Sequence, residues 1–284
     1  MNEAQAITLT VEVLGVQPTA AVYQAFGHNS VTYEVLPPGR SIIVRMNADA
    51  SVFTATERNL AALADLGLPV PTVLASDLSK THFPFAYLLL DKIPGRDLRY
   101  ELAGMTPTQM TRLAEQIVGF QRRVTTLPPG AGYGYVGLGE MGAYTSWWDL
   151  ICSANASVPA SRFEAYLRQV SPVCFLDDIT VKNVIVQDGK LQGLIDFDCV
   201  CYGDPLYWLA LTSVGVVSDV GTAGHYVSEL KRLWSLTSQQ EQVLAFYCAS
   251  MAQDFMRRAA AQETPEWNAR MQAATEDWLA QCAR

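Results

Sequence analysis

Asp188-Gly189, set between the apolar runs Val184-Ile185-Val186 and Leu191-Gln192-Gly193-Leu194-Ile195, is the feature that most constrains this chain. Asp-Gly between such runs predicts a hairpin with a two-residue type I′ turn, because both central residues of that turn need positive φ. The turn sets Asn183 opposite Leu194, with Asp196 two residues beyond. Diagonal positions on such a ladder lie ~7–8 Å apart at the backbone, so the side chains of Asn183 and Asp196 are expected to converge on one ion. A carboxylate and an amide oxygen are hard ligands that suit Mg²⁺, which keeps several waters and takes further oxygens from phosphates. Zinc would call for His or Cys. Asp178, five residues before Asn183, belongs to the same loop and is placed to accept a proton from a hydroxyl near a metal-bound phosphate.

Around this stretch the chain changes texture. Val22 to Phe26, Val31 to Leu36 and, after Pro37-Pro38-Gly39, Ser41 to Met46 read as three antiparallel strands. Ala50 to Leu66 carries Phe53, Leu60, Leu63 and Leu66 at helical spacing and includes Glu57. Tyr87 to Leu90 is a short apolar strand, and Asp91-Lys92-Ile93-Pro94-Gly95 breaks it where a hinge is expected. From Thr106 onward helices dominate. Thr106-Pro107-x-Gln109 is a capping box, Ser238-x-x-Glu241 opens a helix through Val243, Leu244, Tyr247 and Met251, and Thr264-Pro265 opens the last one. The expectation is an α+β chain: a small antiparallel-sheet lobe with one helix in residues 1–93, and a larger, mainly helical lobe in residues 94–284.

Asp178-x4-Asn183, the hairpin and Ile195-Asp196-Phe197 together resemble the catalytic and metal motifs of the aminoglycoside phosphotransferase and choline kinase family, which has a protein-kinase-like two-lobed fold. The resemblance extends to Gly203-Asp204-Pro205, to Gly27-His28-Asn29-Ser30 as a phosphate-covering turn, to Ile43-Val44-Arg45, to Glu57 on its helix, and to the hinge from Leu89 to Gly95. It implies transfer of the γ-phosphate of ATP or GTP to a hydroxyl of a small molecule. Asp178 would be the catalytic base, and Asn183 and Asp196 would hold Mg²⁺. Ser30, Arg45 and Glu57 would serve the nucleotide phosphates, with Arg45 paired to Glu57. The backbone C=O of Asp91 and N–H of Ile93 would grip the base, and Asp204 would brace the catalytic loop.

Three departures from the family pattern favour an alternative, a catalytically impaired nucleotide-binding pseudokinase. Leu176-Asp177-Asp178 stands where the family has His-Gly-Asp, Arg45 stands where most members have lysine, and the phosphate turn holds only Gly27. In an extended segment Asp177 and Asp178 are expected to point to opposite faces, leaving Asp178 as the base. The six residues between Asp196 and Gly203 are too few for the activation loop of a protein Ser/Thr kinase.

Composition narrows the partners. Lys and Arg number 20 against 28 Asp and Glu, a net charge of -8 that is opposite to a nucleic-acid footprint. No apolar run approaches the ~20 residues of a membrane helix, and Met1 to Leu14 is unlike a secretory leader, so the expectation is a cytoplasmic protein with no nucleic-acid or membrane partner. The partners that the family resemblance implies are a nucleotide and a small hydroxylated acceptor; oligomeric state is left open. Neither a P-loop nor a Gly-x-Gly-x-x-Gly motif occurs. The six cysteines make no disulfide framework, and Cys199 and Cys201 read as structural. His28, His82 and His225 are scattered, without a nucleophile motif. Lys182 reads as solvated. Tyr144, Trp147 and Trp148 are candidates for a pocket, while Glu263, Glu266, Glu276 and Asp277 either attract a cationic amino sugar or decorate a solvated helix face.

Overall fold

The computed structural model describes residues 1–25, 30–154, 158, 160–221, 224–259 and 264–283. Gly27, His28 and Asn29 of the expected phosphate turn, and Glu263, lie outside the described residues. The chain divides into two compact units, residues 1–94 with 193–199, and residues 95–192 with 200–284.

The first unit begins with α1 (Glu3–Leu14), an element absent from the sequence reading. Ile7, Thr8, Thr10, Val11 and Val13 are β-branched and disfavour helix. Here an Asn2/Gln5 capping box, a left-handed Gly15 whose N–H reaches Val11 O, and burial of Ala6 and Leu9 against the sheet outweigh propensity. β1 (Ala21–Gln24), β2 (Val31–Val35) and β3 (Ile42–Asn47) pair antiparallel as expected. The expected helix from 50 to 66 is broken: a 3-10 turn, Ala50–Phe53, is capped by Asp49, which accepts from the Ser51 N–H at 2.9 Å, and α2 runs only Thr56–Asp65. β4 (Val73–Asp77) and β5 (Ala86–Asp91) complete a five-stranded sheet in the order β1-β2-β3-β5-β4. β4 escaped the pattern reading because all its residues are half-buried and a bulge interrupts it between Val73 and Ala75. Ile42, Val44 and Met46 alternate inward on β3 and meet Tyr87 and Leu89 of β5 in the core.

Residues 193–199, which the sequence division places in the 94–284 lobe, belong to this first unit. Leu194 N–H donates to Pro69 O at 2.8 Å, and Asn59 Nδ2 donates to Phe197 O at 2.9 Å.

The second unit contains β6 (Arg96–Asp97), α3 (Leu98–Glu101), α4 (Pro107–Val124), β7 (Gly134–Val136), α5 (Trp147–Ala154), α6 (Glu164–Leu167), β8 (Val173–Phe175), β9 (Val184–Gln187), β10 (Lys190–Leu194, whose end enters the first unit), β11 (Val200–Gly203), α7 (Leu206–Asp219), α8 (Gly224–Trp234), α9 (Ser238–Ala259) and α10 (Pro265–Ala283). Its strands form two small sheets, β10-β9-β6 and β7-β11-β8. Asp188 and Gly189 take φ of 52° and 69°, the positive pair that the hairpin turn requires. The Thr106/Gln109 capping box starts α4 as expected. At α9 the box is one residue earlier than the sequence reading placed it: Gln240 N–H donates to Thr237 Oγ1, and Gln240 Oε1 accepts from Thr237 N–H, which makes Ser238 the first helical residue. All six cysteines are unbridged. Among the described residues no helix is long and apolar enough to cross a membrane.

Candidate functional site

In the second unit, the loop between β8 and β9 carries Asp178 and Asn183. Leu176, Ile179 and Val181 are buried and fix the loop from inside, which leaves Asp178 exposed. Gln121 on α4, fully buried, grips the loop at its start: its Oε1 accepts from Leu176 N–H at 3.1 Å and its Nε2 donates to Leu176 O. Thr212 on α7 donates to Ile179 O at 3.0 Å. Within the loop, Thr180 Oγ1 donates to Asp178 Oδ1 at 3.1 Å, and Asn183 Nδ2 donates to Asp178 O at 2.9 Å. The amide nitrogen of Asn183 is thereby spent on the backbone, and its Oδ1 accepts no hydrogen bond from a described residue.

Asp177 is set among other groups. Burial pushes the Tyr207 phenol up to about 12; Tyr135 pulls it down through a hydrogen bond, and Cys201, Asp177 and Asp254 push it further up. Asp177 and Asp178 lie in a turn and not in the extended segment that the sequence suggested, and Asp178 engages Thr180.

Asp204 does not brace this loop. It sits where β11 passes into α7, and its carboxylate accepts from Leu206 N–H at 3.0 Å and from Tyr247 Oη at 2.9 Å. Its side chain is thus used to cap α7 and tie it to α9. Gln121 and Thr212 hold the loop instead. Neither lies within the motifs, and only a buried glutamine on the apolar face of α4 signals the first.

In the first unit, Arg45 on β3 forks onto Asp198, with Nη1 to Oδ1 at 2.7 Å and Nη2 to Oδ2 at 2.5 Å, and its Nε donates to Ser30 Oγ at 3.2 Å. The expected pair with Glu57 does not form. Successive helix residues point about 100° apart, so Thr56 faces Asp198, donating to Oδ1 at 2.9 Å, while Glu57 is exposed and accepts from Ser76 Oγ. Burial pulls the Arg45 guanidinium down, but the hydrogen bonds and charge of Asp198, with Asp196 adding, hold it above its ordinary value.

Asp196 has a left-handed backbone, φ 72°, rare for a residue other than glycine and of the kind that concentrates at functional sites. Its carboxylate keeps open surface, yet the protein around it is dense enough to push its pKa up; Arg45 pulls it back and Asp198 pushes it further. At the last residue of β5, Asp91 N–H donates to Thr72 O; just after the strand Lys92 N–H donates to Ser41 O, whereas Ile93 N–H donates to no described residue.

Asn183 in the second unit carries an amide oxygen and Asp196 in the first an exposed carboxylate, each a hard oxygen donor. No group of three or more His, Cys, Asp or Glu able to hold a metal occurs among the described residues.

Other expectations resolve locally. Lys182 pairs with Asp219 at 3.2 Å rather than standing solvated alone. Trp147 is no pocket residue: it is fully buried and donates from Nε1 to Tyr247 Oη at 2.7 Å. Tyr144 lines an open hollow of about 410 Å³ with Tyr133 and Met141, and Trp148 lies under the Arg168 guanidinium. Glu276 and Asp277 are exposed on α10 and accept from Gln272 and Gln281 one turn away, a solvated helix face.

Comparison with known proteins then gives three findings. The family model described as "Phosphotransferase enzyme family" matches residues 24–224. A curated relative, hygromycin-B 4-O-kinase from Escherichia coli, is 24% identical over 204 residues, which cover 65% of this chain and 59% of the relative; the chain thus spans under two thirds of that relative's length. Among solved structures, a thermostable mutant of aminoglycoside phosphotransferase APH(4)-Ia in its apo form aligns with TM-score 0.72 at 18% identity over 96% of this chain and 98% of the other. The GDP complex of aminoglycoside 2'-phosphotransferase-IIIa aligns with TM-score 0.69 at 14% identity over 99% of each chain. These similarities show a shared fold.

Proposed function

The chain belongs to the phosphotransferase enzyme family, and on that premise we propose that it transfers the γ-phosphate of ATP or GTP to a hydroxyl of a small molecule. Asp178 accepts the proton of the acceptor hydroxyl as its oxygen bonds to the γ-phosphorus and the bond from that phosphorus to the bridging oxygen breaks, releasing ADP or GDP. Asn183 Oδ1 and the Asp196 carboxylate would hold Mg²⁺, which when bound neutralises phosphate charge. Ser30 and Arg45 serve the phosphates, and the Asp91 C=O and Ile93 N–H take the nucleotide base. The observation that carries this reading is the Asp178–Asn183 loop, where the Asn183 amide nitrogen donates to the Asp178 carbonyl and the amide oxygen accepts from no described residue. Relatives leave the donor as either nucleotide: one neighbour was crystallised with AMP-PNP and hygromycin B, another with GDP. An aminocyclitol or another polyhydroxylated small molecule is the acceptor class these neighbours support.

The test is turnover of a panel of such acceptors, hygromycin B included, with ATP and GTP in Mg²⁺ buffer. Asp178→Asn is expected to lower kcat by about 10²–10⁴-fold without changing nucleotide binding; near-normal turnover would reject Asp178 as base. Occupation of Arg45 by Asp198 supports a second reading, a nucleotide-binding protein of impaired activity. Mg²⁺-dependent binding with no transfer to any acceptor would select it.

A further inference from the structure

Arginine has five N–H donors, and this chain directs three of those on Arg45: two to Asp198 and one to Ser30. One N–H on each Nη is left without a partner among the described residues. The fork is held firmly. Thr56 fixes Asp198 Oδ1, the Phe53 ring centroid lies 5.2 Å from the guanidinium carbon, and the Arg45 and Asp198 side chains are only 11% and 16% exposed.

We propose that Asp198 is a positioning residue that replaces the α2 carboxylate as the partner of Arg45 and aims its two remaining N–H groups at the nucleotide phosphates. The inference rests on the phosphotransferase reading. It explains why arginine stands on β3. A lysine ammonium presents three donors from one point and cannot span both oxygens of Asp198, Ser30 Oγ and a phosphate; a planar guanidinium can. Because Asp198 offsets the charge of Arg45, the pair acts on phosphate through oriented N–H groups more than through net charge.

The experiment measures Mg-nucleotide affinity by titration, and KM and kcat separately, for wild type, Asp198→Asn, Arg45→Lys and Glu57→Gln, each checked for folding by circular dichroism. Asp198→Asn is expected to weaken nucleotide binding by about tenfold, the scale of one lost charge-assisted hydrogen bond, with the loss in nucleotide KM more than in kcat. Arg45→Lys is expected to lose as much although it keeps the charge. Should Asp198→Asn fail to fold, Thr56→Val loosens Asp198 without removing it and is expected to weaken binding severalfold. Affinity within twofold of wild type in the folded Asp198 or Thr56 variant overturns the inference, as does a larger effect of Glu57→Gln than of Asp198→Asn. A wild-type protein that binds no nucleotide defeats the phosphotransferase reading, and this inference with it.

Discussion

Gln121 spends both ends of its amide on the backbone of Leu176, and no solvent can replace either bond because the side chain is fully buried. Removing it leaves a buried N–H and a buried C=O unpaired, each costing about 1–3 kcal/mol. Gln121→Leu, close in volume, is therefore expected to destabilise the protein by about 2–5 kcal/mol in urea unfolding. Gln121→Glu keeps the acceptor for Leu176 N–H but sets a buried charge against Leu176 O, so it is expected to do no better. A variant within 0.5 kcal/mol of wild type, the ordinary range of a surface change, would show that the loop start is held some other way. The missing loop histidine was legible at Leu176, but the residue that holds the loop was not. It lies 55 positions away on a helix face otherwise made of Leu113, Ile117 and Val124.

Among the elements, the β9–β10 hairpin is the most locally determined. Gly189 has φ 69°, and an added Cβ there would also run into the end of Gln109. Gly189→Ala is expected to cost about 1–2 kcal/mol from the left-handed backbone alone, while Asp188→Asn, tolerant of the same conformation, is expected to be near neutral. Equal losses in the two variants, measured by thermal unfolding, would mean that the turn does not set the hairpin. Locality also explains which elements could be read in advance. The hairpin and the caps at Thr106 and Thr264 are encoded within four residues of where they act. α1 and β4 are not: one is helical despite five β-branched residues because the sheet buries its face, and the other shows no alternation because every residue is half-buried. The same rule separates the proposed site residues. Asp178 and Asn183 fall in one short loop and were found together, whereas the Arg45–Asp198 fork joins residues 153 positions apart, and no spacing rule could pair them.

At the scale of the whole molecule, the net charge of -8 sets a field that opposes any nucleotide triphosphate. On the proposed function, binding must then come from local, oriented donors and from the cation that accompanies the nucleotide. Two consequences can be measured on the intact chain. Saturating nucleotide with Mg²⁺ is expected to raise the unfolding free energy by about 2.7 kcal/mol at a hundredfold excess over Kd, and chelation of the metal is expected to remove most of that gain. Salt gives the sharper result. Proteins that bind polyanions through basic surfaces lose affinity steeply as salt rises, whereas here the screening length shrinks to about 10 Å at 0.1 M and suppresses a repulsion. Mg-nucleotide affinity is accordingly expected to stay level or to tighten slightly between low and physiological ionic strength. A fall of tenfold or more over that range, roughly 1.4 kcal/mol, would mean that an attractive field, and not the held fork of Arg45, draws the phosphates in.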